Sequence, residues 1–152
     1  MADLNNIFTE GTSKTPQVDF NHLSGDLILS GRSIPENAAK IYEPLHLWIN
    51  KYAKSPRKVT NFRLRLDYFN SATTIWIAKL VKALCKIEKE DCILYIHIYF
   101  EIEDFIEMDE EDIKLSIGSL IDNIGEVKIS IGVKIYGTDP NGVIVKESTI
   151  LI

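Results

Sequence analysis

The polar side chains at positions 70, 71 and 73 are the group in this sequence best suited to chemistry. Asn70, Ser71 and Thr73 directly follow a predicted strand, and apolar residues at helical spacing come after them. One of these side chains is enough to cap a helix, whereas the sequence supplies one amide and two hydroxyls. A phosphate attached here would meet free backbone N–H groups and the positive end of the helix dipole, and would add about two negative charges. Residue types alone nevertheless favour helix capping over a modification site.

An acidic run spans residues 101–112, where eight of twelve residues are Asp or Glu and none is Lys or Arg. The run lacks the spaced acids and the turn-forming glycine of a calcium loop, so a solvated acidic loop is the favoured interpretation. A docking surface for a basic partner is the second interpretation. A small metal-dependent enzyme that uses these carboxylates is the least favoured one, and no metal or other cofactor is predicted.

Four lysines at helical spacing follow the polar cluster, namely Lys79, Lys82, Lys86 and Lys89. Such a stripe is ordinarily the solvated face of a helix. The chain has 17 Lys and Arg against 22 Asp and Glu, a formal net charge of −5, which does not favour binding to phosphate backbones. Nucleic acid is therefore not a predicted partner.

The three histidines are scattered, and none has a His or Cys at ligand spacing, so a zinc site is not predicted. His97 lies within an apolar run, where a hydrogen-bonded structural histidine is the expected role. The phosphate-loop, dinucleotide-binding and nucleophile-elbow motifs are absent from the sequence. The sequence therefore offers no candidate catalytic residue.

Alternating residues predict a strand at 59–68 that leads into the polar cluster. The residues predicted to face the core are Phe62, Leu64, Leu66 and Tyr68. Arg63, Arg65 and Asp67 alternate with them and point to the other face. A helix at about 72–89 and an apolar strand at 92–100 follow. The short links and the right-handed crossover rule predict that the two strands are parallel neighbours in one sheet.

An earlier helix is predicted to begin after residue 33. Ser33 is assigned as its N-cap, and Glu36 would complete a capping box. The inward-facing stripe of this helix is predicted to consist of Ile41, Leu45, Trp48 and Tyr52. Pro44 is expected to kink or split the helix because proline has no backbone N–H.

Hairpins are predicted at both ends of the chain. One turns at Ser24-Gly25, and another turns at residues 139–142 between strands at 127–135 and 143–152. A further helix is predicted at about 109–121. Since strands alternate with helices in the middle of the chain, we expect a single two-layer α/β domain over residues 1–152, with a mixed β-sheet and helices mainly on one face.

Composition is consistent with one globular domain, because 45% of the 152 residues are hydrophobic. Cys85 and Cys92 are too few for a disulfide framework and are expected to be buried thiols in a reducing compartment.

The chain shows no secretory signal and no apolar run long enough to cross a membrane, so a cytoplasmic protein with no membrane partner is expected. Charge is uneven: residues 1–90 carry 13 basic against 9 acidic side chains, and residues 91–152 carry 4 against 13.

Two separate motifs resemble the SiaC family of bacterial regulatory phosphoproteins. The first is Ser-Gly-Arg-Ser-Ile-Pro-Glu-Asn at 30–37, continued by Tyr-Glu-Pro-Leu at 42–45 and by Trp48 and Tyr52. The second is Leu-Asp-Tyr-Phe-Asn-Ser at 66–71. Smaller similarities occur near residues 15–20 and in the acidic loop, so the resemblance covers about residues 7–112.

The resemblance implies a non-enzymatic switch protein with a fold similar to STAS domains. Such a protein is phosphorylated by a cognate serine/threonine kinase and dephosphorylated by a PP2C-type phosphatase. Its unphosphorylated form binds and activates a diguanylate cyclase, which promotes biofilm formation through cyclic di-GMP.

The same resemblance implies which residues form the site. Ser71, directly after the asparagine, is the implied phosphate acceptor, with Thr73 as the alternative. Asn70, Thr73 and Tyr68 would shape the site. The expected partner contacts are Lys79, Lys82, Glu101, Asp104 and Glu107.

The sequence departs from the family pattern in two places. Ala72 stands where the family's hydroxyl run has one more hydroxyl. Members typically end soon after the acidic helix, whereas residues 126–152 here add a predicted hairpin that could extend the sheet, pair with another copy or replace the usual ending. The alternative function is therefore a structural domain that oligomerises through this hairpin.

Overall fold

A computed structural model of the protein describes residues 4–103, 111, 118 and 127–151. Within these residues the chain forms one seven-stranded sheet and two helices, which confirms the predicted α/β class. The strands are β1 (Ile7–Thr9), β2 (Gln17–Asn21), β3 (Asp26–Ser33), β4 (Val59–Phe69), β5 (Ile93–Glu101), β6 (Ser130–Thr138) and β7 (Ile144–Leu151). The helices are α1 (Ala38–Tyr52) and α2 (Ser71–Leu84). Apart from residues 111 and 118, the helix predicted at about 109–121 lies outside the described residues.

The strands lie in the sheet in the same order as in the chain. β3, β4, β5 and β6 run parallel to one another, and antiparallel pairs flank them at both ends. The predicted parallel pairing of β4 with β5 is confirmed, with Phe62 opposite Ile96. The β6–β7 hairpin continues this sheet; that it is an addition to the family pattern stays a prediction. No helix among the described residues is long and apolar enough to cross a membrane.

Both helices cover the same face of the sheet and contact each other. On that face, alternate strand residues form the core because successive side chains point to opposite faces. The buried strand residues include Phe20, Leu27, Leu29, Phe62, Leu64, Leu94, Ile96, Ile131, Val133 and Ile135. Apolar burial between sheet and helices is therefore the main stabilising term of a two-layer domain.

Two expectations about α1 are wrong. The helix begins at Ala38 with Asn37 as its N-cap, because Ser33 is the last residue of β3 and lies buried in the core. Pro44 does not split the helix, which continues to Tyr52. Pro44 and Lys40 are both exposed, so water can satisfy the Lys40 carbonyl that lacks its helical donor.

The second helix is shorter than predicted. α2 ends at Leu84, and the N–H groups of Lys86 and Ile87 bond three residues back, to Ala83 and Leu84. These bonds tighten the chain into a turn that buries Ile87. Lys86 and Lys89 therefore lie in the connection to β5 and not on the helix.

The two cysteines are buried and neither forms a disulfide, as predicted. Burial raises the pKa of the Cys85 thiol to about 12. A thiol with such a pKa stays protonated at neutral pH, so Cys85 behaves as a small apolar side chain.

The inward stripe of α1 packs against the N-terminal strands. Leu45, Trp48 and Tyr52 are buried as predicted, and Ile41 is half-buried against the same core. The Trp48 ring stacks on Tyr52 with ring centroids 5.4 Å apart, and its Nε1 donates to the Asn5 carbonyl at 2.6 Å. Trp48 therefore joins α1 both to the core and to the segment before β1.

We expect Trp48→Ala to lower the free energy of unfolding by about 3–5 kcal/mol, as truncation of a large buried side chain does. Leu47→Ala, one residue earlier on the same helix, is the control because 57% of Leu47 is exposed. Urea unfolding of both variants measures the difference. Equal losses in the two variants would show that Trp48 is not a core residue.

His97 confirms the structural role expected of it. Its Nε2 bonds Asn61 Oδ1 and its Nδ1 bonds the Tyr136 hydroxyl, each at 2.7 Å. Because an amide oxygen only accepts, Nε2 carries the proton and Nδ1 accepts from Tyr136. Burial, with smaller contributions from Arg63, Lys134 and Arg65, lowers the pKa of His97 to about 3.

This low pKa predicts a pH dependence of stability. Between pH about 6.5 and about 3 the unfolded chain binds a proton at His97 that the folded chain does not, so stability falls as pH falls through this range. We expect wild type to lose more stability than His97→Gln between pH 7 and 5.5, measured by urea unfolding. The glutamine cannot titrate, and carboxylate effects are common to both proteins. The same loss in both would contradict the assignment.

Candidate functional site

The junction between β4 and α2 has a dedicated capping residue. Asn70 Oδ1 accepts a hydrogen bond from the Thr73 backbone N–H at 2.9 Å, as an N-cap does. The Asn70 N–H donates to the Ser33 carbonyl at 3.1 Å, which ties the junction to the end of β3. Asn70 therefore fulfils the capping role that the sequence left open among three polar residues.

Ser71 is the first residue of α2 and is exposed. Within the described part of the chain, its hydroxyl makes no hydrogen bond to another residue. The backbone N–H groups of Ser71 and Ala72 are likewise without protein partners there, as is usual in a first helical turn. An exposed hydroxyl thus lies next to two free N–H donors and the positive end of the helix dipole.

Thr73 is placed in the opposite way, with none of its surface exposed. Its hydroxyl donates to the Ser33 carbonyl at 2.8 Å and bonds the Ser33 hydroxyl, also at 2.8 Å. The Ser33 hydroxyl in turn bonds the Tyr42 hydroxyl. Thr73, the alternative acceptor, therefore has a hydroxyl that is both buried and fully engaged.

The direction of these bonds follows from counting protons. Thr73 gives its only hydroxyl proton to the Ser33 carbonyl, so Ser33 must donate to Thr73 Oγ1, and Tyr42 must then donate to Ser33 Oγ. Burial raises the pKa of Tyr42, and the hydrogen bonds with Ser33 and Thr73 partly oppose this. Tyr42 therefore stays neutral at physiological pH and keeps its donor role.

The predicted burial of Tyr68 is wrong, since 65% of this residue is exposed. The β3–β4 register shifts by one residue: Gly31 lies opposite Leu66, and Arg32 lies opposite Tyr68. The extra residue in β4 reverses the alternation after it. The shift coincides with a positive φ of 88° at Gly31, a conformation that glycine adopts at little cost.

Exposed apolar side chains flank Ser71 along the chain. Phe69, 54% exposed, precedes it by two residues, and Ile75, 58% exposed, lies one helical turn after it. Tyr68 lies beside Arg32, whose guanidinium carbon is 5.8 Å from the centre of the Tyr68 ring. Large exposed apolar residues near one polar residue are typical of a surface that binds another protein.

The predicted partner contacts are only partly brought together. Lys79 and Lys82 are exposed on α2, and the Lys79 ammonium lies 4.4 Å from the centre of the Trp76 ring. Glu101 is exposed at the end of β5. Asp104 and Glu107 lie outside the described residues. Among the described residues, no group of three or more His, Cys, Asp or Glu side chains is placed to hold a metal ion.

Sequence reasoning missed the bond from Thr73 to Ser33 and Tyr42. Ser33 and Tyr42 are 40 and 31 positions away, and they reach Thr73 only when the chain has folded. The available signal was that both belong to the first motif, while Thr73 follows the second.

We expect Thr73→Val to lower the free energy of unfolding by about 1–3 kcal/mol, because the Ser33 hydroxyl loses its acceptor in the core. Thr74→Val makes the same chemical change at the next residue, whose hydroxyl has only a long contact of 3.4 Å to the Asn70 carbonyl. That control should stay within about 0.5 kcal/mol of wild type. Thermal or urea unfolding measures both variants. Equal losses of stability would contradict the buried hydrogen bonds that join Thr73, Ser33 and Tyr42.

Comparison with known proteins identifies the family. The model for SiaC family regulatory phosphoproteins matches residues 9–123. No curated protein sequence matches the chain. One similar solved structure is apo-SiaC from Pseudomonas aeruginosa, with 16% identity and a TM-score of 0.63 over 84% of this chain and 98% of that chain. A second solved structure, of SiaC of Pseudomonas aeruginosa, has 19% identity and a TM-score of 0.59, over 68% of this chain and 90% of that chain.

A third structure is the diguanylate cyclase SiaD in complex with its activator SiaC, also from Pseudomonas aeruginosa. It shares 16% identity and a TM-score of 0.63, over 82% of this chain and 97% of that chain. At identities this low, the structural similarity establishes a shared fold and nothing more. Because the family model covers residues 9–123, more than half of the 152 residues, this chain belongs to the SiaC family of regulatory phosphoproteins.

Proposed function

We propose that this chain is a non-enzymatic partner-switch protein in which phosphorylation of Ser71 controls the binding of a target. The observation that carries the proposal is the division of roles among three adjacent polar residues. Asn70 caps the helix, Thr73 is buried and engaged, and Ser71 presents an exposed hydroxyl with no protein partner among the described residues. A kinase can reach the Ser71 hydroxyl without unfolding any part of α2.

The surroundings of Ser71 explain how a phosphate would change binding. Phe69 and Ile75 are exposed on either side, so a target that covers them also covers Ser71. An unmodified hydroxyl costs little to bury in such a contact, whereas a phosphate dianion is costly to bury unless the target supplies cations. The unphosphorylated form is therefore the binding form.

The free N–H groups of Ser71 and Ala72 have a second consequence. They can stabilise a phosphate on the Ser71 side chain, together with the helix dipole. Phosphorylation would consequently leave α2 folded and change the charge of its exposed end. This outcome is what a reversible signal requires, since the protein stays available to a phosphatase.

We propose a serine/threonine kinase and a PP2C-type phosphatase as the modifying enzymes and a diguanylate cyclase as the target class. Support for the target comes from the similar SiaC of Pseudomonas aeruginosa, which activates the cyclase SiaD. Lys79 and Lys82 are the proposed contacts on α2. The helix itself carries no acidic residue that could pair with them. Glu101, Asp104 and Glu107 remain proposed contacts from the acidic segment.

The test compares Ser71→Ala with Ser71→Asp. We expect Ser71→Ala to abolish labelling by the cognate kinase and to keep target binding, because a methyl group fits where a hydroxyl was covered. Ser71→Asp should stay within about 1 kcal/mol of wild-type stability, since an acidic residue suits a first helical turn, yet lose target binding. Kinase labelling by intact mass and a pull-down of the cognate cyclase provide the two measurements.

Thr74→Ala is the matched control, because it removes a neighbouring hydroxyl and should change neither measurement. Undiminished labelling of Ser71→Ala would show that Ser71 is not the acceptor. Normal cyclase binding by a stable Ser71→Asp protein would show that charge at this position does not control the contact.

A further inference from the structure

Two arginines on β4 converge on one hydroxyl group, on the sheet face away from α1 and α2. Arg63 Nη1 and Arg65 Nη2 donate to the Tyr99 hydroxyl oxygen at 3.1 Å and 3.3 Å. Arg63 is half-buried and Arg65 is exposed. The two arginines alternate with the buried residues Phe62, Leu64 and Leu66, so their side chains lie on the sheet face that α1 and α2 do not cover, called the open face below.

The donors in this cluster outnumber the acceptors. A phenol oxygen has two lone pairs, and the two arginines occupy both. The Tyr99 hydroxyl proton has no acceptor within the described part of the chain. Across that same part, Arg65 has no carboxylate partner, and Arg63 has only Asp26, whose Oδ1 lies 3.8 Å from Nε. Three donor groups therefore converge on one place. Two carboxylates lie near it, that of Asp26 and that of Glu147, which is opposite Tyr136 in the β6–β7 pairing.

Positively charged side chains surround His97, which is next to the cluster. His97 lies beside Arg63 in the β4–β5 pairing, and Arg63, Arg65 and Lys134 all lower its pKa. No carboxylate is among the groups that shift the His97 pKa. A positive field on a rigid sheet, with guanidinium donors already aimed, favours a small oxyanion.

The tyrosine rings indicate the size of the ligand. The Arg65 guanidinium carbon lies 4.5 Å from the centre of the Tyr99 ring, and the Tyr136 ring stacks on Tyr99 at 4.6 Å. The Lys134 ammonium lies 4.7 Å from the centre of the Tyr95 ring. These rings already stack on protein groups, which leaves little surface for a nucleobase, so the cluster suits a phosphate group alone.

We propose that Arg63, Arg65 and the Tyr99 hydroxyl form a binding site for a phosphate-type oxyanion on the open face of the sheet. The guanidinium groups would donate to two of its oxygens, and the Tyr99 hydroxyl, released from one arginine, would donate to a third. Asp26 holds Arg63 in position and at the same time reduces the net positive charge. This site is independent of Ser71, which begins a helix on the opposite face.

The test is an NMR titration of the full chain with inorganic phosphate at constant ionic strength, with sodium chloride as the replaced salt. We expect the Arg63 and Arg65 Nε–Hε signals to shift and saturate. Tyr99→Phe keeps the ring and removes the hydroxyl, and Arg65→Gln removes an exposed charge, so both variants should fold. Each should weaken phosphate binding about 10-fold, as expected when a charge-assisted donor is lost.

Lys51→Gln is the control, because Lys51 is an exposed cation on α1 and its loss changes the net charge by the same amount as Arg65→Gln. It should leave the phosphate affinity unchanged. Shifts that increase linearly without saturating, or an equal loss of affinity in Lys51→Gln, would show that phosphate only screens surface charge and would overturn the proposal.

Discussion

The buried hydrogen bonds from Tyr42 through Ser33 to Thr73 join α1, β3 and α2 at the end of the sheet where the candidate site lies. Each of the three hydroxyl protons has an acceptor, so these hydroxyls lie in the core without an unsatisfied hydrogen-bonding group. Loss of one of these hydrogen bonds would be destabilising, because the core holds no water that could replace the missing partner. The three residues are thus mutually dependent, and together they hold the first turn of α2 against β3.

This constraint determines which hydroxyl of the site is free. With Thr73 held inward, helical geometry turns Ser71, two residues earlier, toward solvent. Ala72 lies between them, half-buried against the core. A hydroxyl at position 72 would have to find a partner there or leave the core. Alanine at position 72 therefore affects packing and does not remove the exposed hydroxyl of Ser71.

The sequence predicted those features that depend on local periodicity or on short links. Alternation placed Phe62, Leu64 and Leu66 in the core, and the short segment around α2 predicted the parallel pairing of β4 with β5. The errors at Ser33 and Tyr68 have a different origin. The Ser33 hydroxyl is hydrogen-bonded in the core by residues that lie 9 and 40 positions away. The side chain of Tyr68 is reversed by a register shift against the neighbouring strand, next to Gly31. Neither influence can be read from the residues around the affected position.

The alternation of β4 also decides how a phosphate on Ser71 would act. Phosphorylation can order a protein by pairing with its own arginines, or it can disrupt a contact through repulsion and the cost of desolvation. Arg63 and Arg65 are near Ser71 in sequence, but their guanidinium groups are held on the Tyr99 hydroxyl at the far face of the sheet. The helix N–H groups remain as the local stabilising partners, and these leave most of the phosphate charge uncompensated. Under the proposed function, the charge would therefore be directed outward, to the protein that covers Phe69 and Ile75. The switch would then act through the partner's surface and not through a rearrangement of this domain.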